Sequence, residues 1–160
     1  MLKQFAENNN INEELLSILN HQLATPANYI FEARRKFVNE YLPSTIYFYK
    51  KIADKTDQIH LTYESQLNNA SIEILLQNSF QKDLILQRTN VGIHKDDIAI
   101  VMNENSFKNT ASQGQRKSLL FAFKLAEWQI LKQHKGFAPI LLLDDVFEKL
   151  DEQRMFNLLQ

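Results

Sequence analysis

The sequence contains no cysteine among its 160 residues. This excludes disulfides and thiolate metal ligands, and it fits a reducing compartment. No apolar run approaches the ~20 residues that a membrane-spanning helix requires, and the N-terminal residues lack the apolar core of a signal peptide. We therefore expect a cytoplasmic protein that does not associate with a membrane.

Glycine is also scarce, with only Gly92, Gly114 and Gly136 in the chain. A phosphate-binding P-loop needs two glycines at a fixed spacing, the second followed by lysine and serine or threonine, and this sequence has no such segment. The net charge of −1 gives no overall basic character, so any DNA contact must be local. If the chain works with a nucleotide, part of the nucleotide site is expected to lie outside it.

Hydrophobic residues make up 44% and charged residues 23% of the chain, which is typical of a globular protein. Helical spacing begins at Glu13, and Thr25-Pro26 predicts a break before a second helix over 27–41 and a third after Pro43. We interpret residues 1–58 as a helical hairpin, or arm, and residues 59–160 as an α/β lobe. Within the lobe the patterns predict strands at 59–63, 97–102 and 137–143, a turn at 103–105, and helices at 72–87, 110–133 and 152–159.

The segment PILLLDDVFEKLD, residues 139–151, joins a continuous aliphatic run to two adjacent carboxylates. Such a run predicts an interior strand covered on both faces, and Asp144 and Asp145 would stand at its carboxyl end, where ligands bind in open α/β sheets. This is the Walker B pattern, in which the first acid holds Mg²⁺ and the second acts on the attacking water. The alternative is that both acids stabilise the start of the next helix.

The segment SQGQ, residues 112–115, opens the helix before that strand. Ser112 and Gln115 have the spacing of a capping box, and Gly114 allows close approach to its amide. Free amides at a helix start attract anions. Alone, the segment is more simply interpreted as an ordinary helix start. Its position 32 residues before Asp144 favours a nucleotide site, in which a signature helix is followed by a Walker B strand.

These motifs resemble those of the RecF family, whose members have an ABC/SMC-type P-loop ATPase head. SQGQ is similar to the signature motif, LLLDD to Walker B and EKLD to the D-loop; RTNVGIHKDD (residues 88–97) resembles the family's Gly-Pro-His-Arg-Asp-Asp block, and LTYESQL (residues 61–67) agrees too. Ile93 replaces the usual proline and Lys95 the usual arginine. The resemblance covers about residues 14–160 and lacks the half with Walker A, so it implies a C-terminal piece carrying the signature and Walker B lobe.

The resemblance implies a head that dimerises around ATP, with each nucleotide held by one head and covered by the signature of the other. Asp144 would hold Mg²⁺ in its own head, and Asp145 would be the catalytic carboxylate. The nucleotide of the partner head would meet Ser112, Gln113, Gly114, Gln115 and, in the D-loop, Asp151. Without Walker A, the chain alone is expected to have no ATPase activity.

The family further implies a role in DNA repair, recombination, replication restart and the SOS response. Expected partners are single-stranded, gapped or junction DNA, a second copy of the protein, and RecR- and RecO-type mediators. The basic cluster Arg34, Arg35 and Lys36 is a candidate phosphate contact, although such clusters are more often solvated helix faces. For His94, Asp96 and Asp97 we expect hydrogen bonding, turn and strand-start roles in preference to ligand binding.

Two other interpretations remain open. Another SMC-like or OLD-type ATPase would share the signature and Walker B motifs but not the GIHKDD block. A non-enzymatic helical interaction module would use SQGQ and LLLDD merely as a helix cap and a strand end.

Overall fold

The computed structural model describes residues 12–53, 57–142 and 151–159. These described residues form two compact units, one within 1–36 and 63–98 and the other within 37–62 and 99–160. We call these unit 1 and unit 2. The predicted division into an arm over residues 1–58 and a lobe over residues 59–160 stays a prediction.

The described secondary structure is helix-rich with one small sheet of three strands in the order β1-β2-β3. The helices are α1 (Glu13–Ile52), α2 (Ile72–Leu86), α3 (Phe107–Thr110), α4 (Gln113–Lys135) and α5 (Glu152–Leu159); the strands are β1 (Ile59–Glu64), β2 (Asp97–Met102) and β3 (Asn105–Ser106); single 3₁₀ turns occupy Gln66–Asn68 and Ile93–Lys95.

Local signals explain most of these elements. Ser71 caps α2 by accepting a hydrogen bond from the amide of Ile74. Asn103 and Glu104 both have positive φ, as a two-residue type I′ turn requires, and this turn sets Met102 opposite Asn105 in the antiparallel β2–β3 pair. The predicted strands at 59–63 and 97–102 and the helices at 72–87 and 152–159 are confirmed, with end shifts of one residue or none.

The predicted helix break at Pro26 is wrong, because α1 runs without interruption through Pro26 and Pro43. A proline inside a helix removes one backbone hydrogen bond but leaves side-chain packing on the opposite face available. Ala24 and Ala27 are buried beside Pro26, and Leu42 and Thr45 are buried beside Pro43. Burial of this face outweighs the local cost of each proline.

The predicted helix over 110–133 corresponds to α4, which begins three residues later, at Gln113, and ends at Lys135. The short helix α3 ends at Thr110, Ala111 is extended, and α4 begins after Ser112. Ser112 is extended as well, with φ −64° and ψ 164°, which is the non-helical backbone that a capping residue needs.

The predicted strand over 137–143 is not formed in its described part, residues 137–142. Ile140 and Leu142 are 89% and 87% exposed. An interior strand requires paired neighbours, and the three-stranded sheet does not include this segment. The indole nitrogen of Trp128 donates to the Pro139 carbonyl at 2.6 Å, which fastens the segment to α4.

Each unit has its own core. The core of unit 1 is built from Ala24, Ala27, Ile72 and Leu76. The larger core of unit 2 surrounds the end of α1 and the buried face of α4; it contains Tyr49, Ile52, Ala53, Ile59, Met102, Phe107, Ala111, Leu119, Phe121 and Ala122. This second core fixes the start of α4, where the candidate site lies.

Candidate functional site

The start of α4 carries the capping box that the sequence predicted. The amide of Gln115 donates to Ser112 Oγ at 3.2 Å, and the amide of Ser112 donates to Gln115 Oε1 at 2.8 Å. Ser112 and Gln113 are exposed, whereas Gly114 and Gln115 are half-buried. The turn therefore has a fixed backbone and an accessible outer face.

A buried carboxylate anchors this turn from inside unit 2. Asp57, only 8% exposed, accepts from Gln115 Nε2 at 3.0 Å and from the Tyr49 hydroxyl at 2.8 Å. Burial and the hydrogen bond to Asp57 together raise the pKa of Tyr49 above its ordinary value. The tyrosine thus remains a hydrogen-bond donor to the carboxylate. No local sequence pattern indicates a role for Asp57, because its partner Gln115 is 58 positions away.

Arg154 and Asp151 complete the surroundings of Gly114. Asp151 caps α5 by accepting from the Arg154 amide at 2.9 Å, and it also pairs with the Arg154 guanidinium at 2.8 Å. That guanidinium lies over Gly114, where a Cβ would collide with it. The absence of a side chain at Gly114 lets the guanidinium lie directly over this turn.

These groups suit an anionic ligand. Within the described part of the chain, the amides of Gln113 and Gly114 have no hydrogen-bond acceptor, as expected for the first turn of a helix. The helix dipole and the Arg154 guanidinium add positive potential at the same point. A phosphate group therefore fits the residues present.

Other predicted site residues divide into two groups. Asp144 and Asp145 lie outside the described residues. Asp151 lies close to residues 112–115, which we call the signature turn, because its partner Arg154 covers Gly114. Within the described ranges 12–53, 57–142 and 151–159, no three histidine or acidic side chains cluster in a way that could hold a metal ion.

The basic cluster belongs to unit 1, and its first member has an internal contact. Arg34 donates to the Ile93 carbonyl at 2.5 Å and pairs at 2.9 Å with Asp96, whose side chain is 3% exposed. Arg35 pairs with Glu32 at 2.7 Å, and Lys36 is exposed. Arg34 therefore fixes the GIHKDD block, and Arg35 and Lys36 remain closer to solvent.

Histidine and aspartate in the GIHKDD block make structural hydrogen bonds. His94 Nε2 lies 3.1 Å from the Thr89 carbonyl oxygen. Asp96 also accepts from the Tyr63 hydroxyl at 2.6 Å, and Asp97 accepts from the Ile98 amide at the start of β2. These contacts match the hydrogen-bonding, turn and strand-start roles expected from the sequence.

Comparison with solved structures identifies the class of protein. The chain aligns with a recombination mediator protein RecF bound to ATP, with a TM-score of 0.81, 29% identity, and coverage of 97% of this chain and 43% of that chain. A second RecF structure, described as RecF-ATPrS, gives a TM-score of 0.82 with 98% and 45% coverage, again at 29% identity. The fold is thus that of an ABC-type ATPase lobe, as the sequence predicted.

Curated relatives identify the family. A DNA replication and repair protein RecF from Flavobacterium johnsoniae is 40% identical over 160 residues, which is 100% of this chain and 45% of the relative. The corresponding protein from Cytophaga hutchinsonii is 36% identical over 159 residues, with 99% and 42% coverage. No protein-family model matches. The chain belongs to the RecF family and spans less than half the length of these relatives.

No helix of the described residues is both long and apolar enough to cross a membrane.

Proposed function

We propose that this chain is the signature-bearing part of a RecF-type DNA-repair ATPase, and that its α4 turn binds the phosphate of a nucleotide held by a second copy. The observation that carries the proposal is the capped turn with an accessible outer face, where the amides of Gln113 and Gly114 have no acceptor among the described residues and lie beside Arg154. The Walker A half of the nucleotide site would come from sequence outside this chain, so the chain alone is expected to lack ATPase activity.

Each residue has a defined task in this proposal. The Ser112 hydroxyl accepts from Gln115 and keeps its own proton to donate to a phosphate oxygen. The amides of Gln113 and Gly114 donate to the same group, and Asp151 in the D-loop lies at the dimer contact. The side chain of Gln115 holds the backbone of the turn.

The carboxylates after the aliphatic run serve the nucleotide of their own head. Asp144 would hold Mg²⁺, and Asp145 would accept a proton from the attacking water. ATP, when bound, supplies the phosphate contacts that stabilise the closed dimer, and these contacts are lost after hydrolysis.

The biological role proposed for the complete protein is cytoplasmic recombinational repair. The proteins that it resembles are described as replication and repair proteins and as a mediator in the RecFOR pathway. We propose binding to gapped or single-stranded DNA, recombinase loading with RecR- and RecO-type partners, and participation in replication restart and the SOS response. Lys36 and Arg35 are better probes of DNA contact than Arg34, because removing Arg34 also disrupts the pair with Asp96.

The test compares Ser112→Arg with Asp144→Ala in the complete protein that carries this chain. Ser112→Arg should leave ATP binding by the monomer unchanged but abolish ATP-dependent dimerisation measured by light scattering, because the bulky side chain occupies the phosphate position. Asp144→Ala should instead weaken Mg²⁺-dependent ATP binding by the monomer.

A matched control is Ser71→Arg, which removes a serine cap from α2 in unit 1. It should leave dimerisation intact although it costs about 1 kcal/mol of stability. Normal dimerisation of Ser112→Arg would rule out the proposed contact with the second copy.

A further inference from the structure

A chain of hydrogen bonds begins at the buried Tyr49 and ends at the proposed phosphate site. It runs from the Tyr49 hydroxyl to Asp57, from Asp57 to Gln115 Nε2, and from Gln115 Oε1 to the amide of Ser112. Tyr49 is fully buried at the end of α1. The carboxylate of Asp57 therefore joins the core of unit 2 to the first residue of the signature turn.

The geometry restricts how Gln115 can be oriented. A glutamine amide has one acceptor and one donor end, and the two ends are interchanged by a half-turn about the last side-chain bond. Asp57 accepts hydrogen bonds, so it selects the orientation with Nε2 facing inward. Only that orientation directs Oε1 toward the Ser112 amide, which donates to it at 2.8 Å.

We propose that Asp57 is a positioning residue for the signature turn: it orients the Gln115 amide, which in turn holds Ser112 in the backbone conformation needed for phosphate binding. This inference rests on the proposed function for its consequence in dimerisation, but the orientation itself can be measured independently. Without Asp57, Gln115 loses a buried partner, and the Ser112 amide loses its fixed acceptor.

The first measurement is hydrogen exchange of the Ser112 amide, followed by NMR on the complete protein. This amide precedes α4, so its protection depends on the Gln115 side chain. Asp57→Ala should speed its exchange by about tenfold or more, the size expected for losing one hydrogen bond to a charged group. Asp57→Asn should stay within about threefold of wild type, because its oxygen can accept from Gln115 while its amide donates to the Tyr49 oxygen.

The control variant is Asp83→Ala. Asp83 is a buried aspartate of unit 1 that accepts from Ser79 and Asn90, so its loss should destabilise the protein without involving the signature turn. Exchange at Ser112 should keep its wild-type rate in this variant. If Asp57→Ala leaves Ser112 exchange unchanged, or if Asp83→Ala speeds it equally, the positioning role is overturned.

The second measurement is ATP-dependent dimerisation. Asp57→Ala should raise the protein concentration for half-maximal dimerisation by about tenfold while ATP binding by the monomer is unchanged, and Asp57→Asn should restore it. If the wild type does not dimerise with ATP, the proposed function fails, and exchange at Ser112 still decides the role of Asp57. If the wild type dimerises and Asp57→Ala dimerises equally well, the proposed effect of Asp57 on dimerisation is wrong.

Discussion

At the scale of single residues, Tyr49 and Asp57 form a buried polar contact in unit 2. Tyr49 is 0% exposed, and its hydroxyl also lies 3.9 Å from the Met102 sulfur. Ionisation of this hydroxyl would put a second negative charge beside Asp57 in an apolar surrounding. Burial is therefore the largest cause of the raised pKa of Tyr49, and the Asp57 carboxylate is the next largest.

This shift predicts a loss of stability at alkaline pH. Below the ordinary pKa of 10.0 both folded and unfolded chains keep the proton, so the full stability is present. Above it the unfolded chain loses the proton while folded Tyr49 retains it, and the free energy of unfolding falls by up to about 1.4 kcal/mol per pH unit for this one group. Tyr49→Phe should give a shallower fall between pH 10 and 11.5 in urea unfolding.

The control for this prediction is Tyr29→Phe, which changes a largely exposed tyrosine. In this variant the free energy of unfolding should depend on pH as it does in the wild type. Tyr41, whose pKa is raised by burial and then by Glu127, keeps some alkaline sensitivity in every variant. A Tyr49→Phe profile as steep as that of wild type would contradict the prediction.

At the scale of secondary structure, α1 shows how tertiary packing overrides a local breaker. Pro26 cannot donate to the carbonyl of Gln22, and its ring crowds that turn, which disfavours helix by about 3 kcal/mol in an isolated helix. The helix nevertheless continues for 40 residues. The buried side chains next to the proline supply the compensating free energy.

Pro26→Ala should therefore stabilise the chain. Alanine restores the missing donor and removes the ring, and part of this gain is offset by the greater freedom of alanine in the unfolded chain. We expect the free energy of unfolding to rise by about 2 kcal/mol, measured as a higher urea midpoint. Pro139→Ala, outside any helix, should give no such gain. A lower midpoint for Pro26→Ala would show that the proline conformation itself is needed.

The elements that sequence patterns predicted correctly are those specified by neighbouring residues. Ser71 and Ser112 act through amides three positions later, and the turn at Asn103 and Glu104 needs only its own backbone. The long helix was missed because its buried face packs against residues far along the chain, Ile72 and Leu76 among them. The 137–142 segment was predicted as a strand from its aliphatic run alone, but the described sheet gives it no neighbouring strand. The same limit applies to the site: its capping box was predictable, but its buried anchor Asp57 was not.

At the scale of the whole molecule, the exposed aliphatic segment 137–142 is the feature that most needs a partner. Ile140 and Leu142 are nearly fully exposed, although a run of four aliphatics is typical of an interior strand. The chain spans less than half the length of its RecF relatives. We infer that the remaining length supplies the neighbouring strands against which this segment becomes a strand.

Leu142→Asp should therefore change the free energy of unfolding differently in the 160-residue chain and in the complete protein. In the 160-residue chain, Leu142→Asp should change the free energy of unfolding by less than about 0.5 kcal/mol and reduce self-association in sedimentation, because it removes exposed apolar surface. In the complete protein it should cost several kcal/mol, because a charge would be buried without a partner. Ile85→Asp, which alters another strongly exposed aliphatic at the end of α2, should cost little in both. Equal and small effects of Leu142→Asp in the two contexts would mean that the segment remains exposed in the complete protein, which removes the structural basis for a Walker B strand at 137–143.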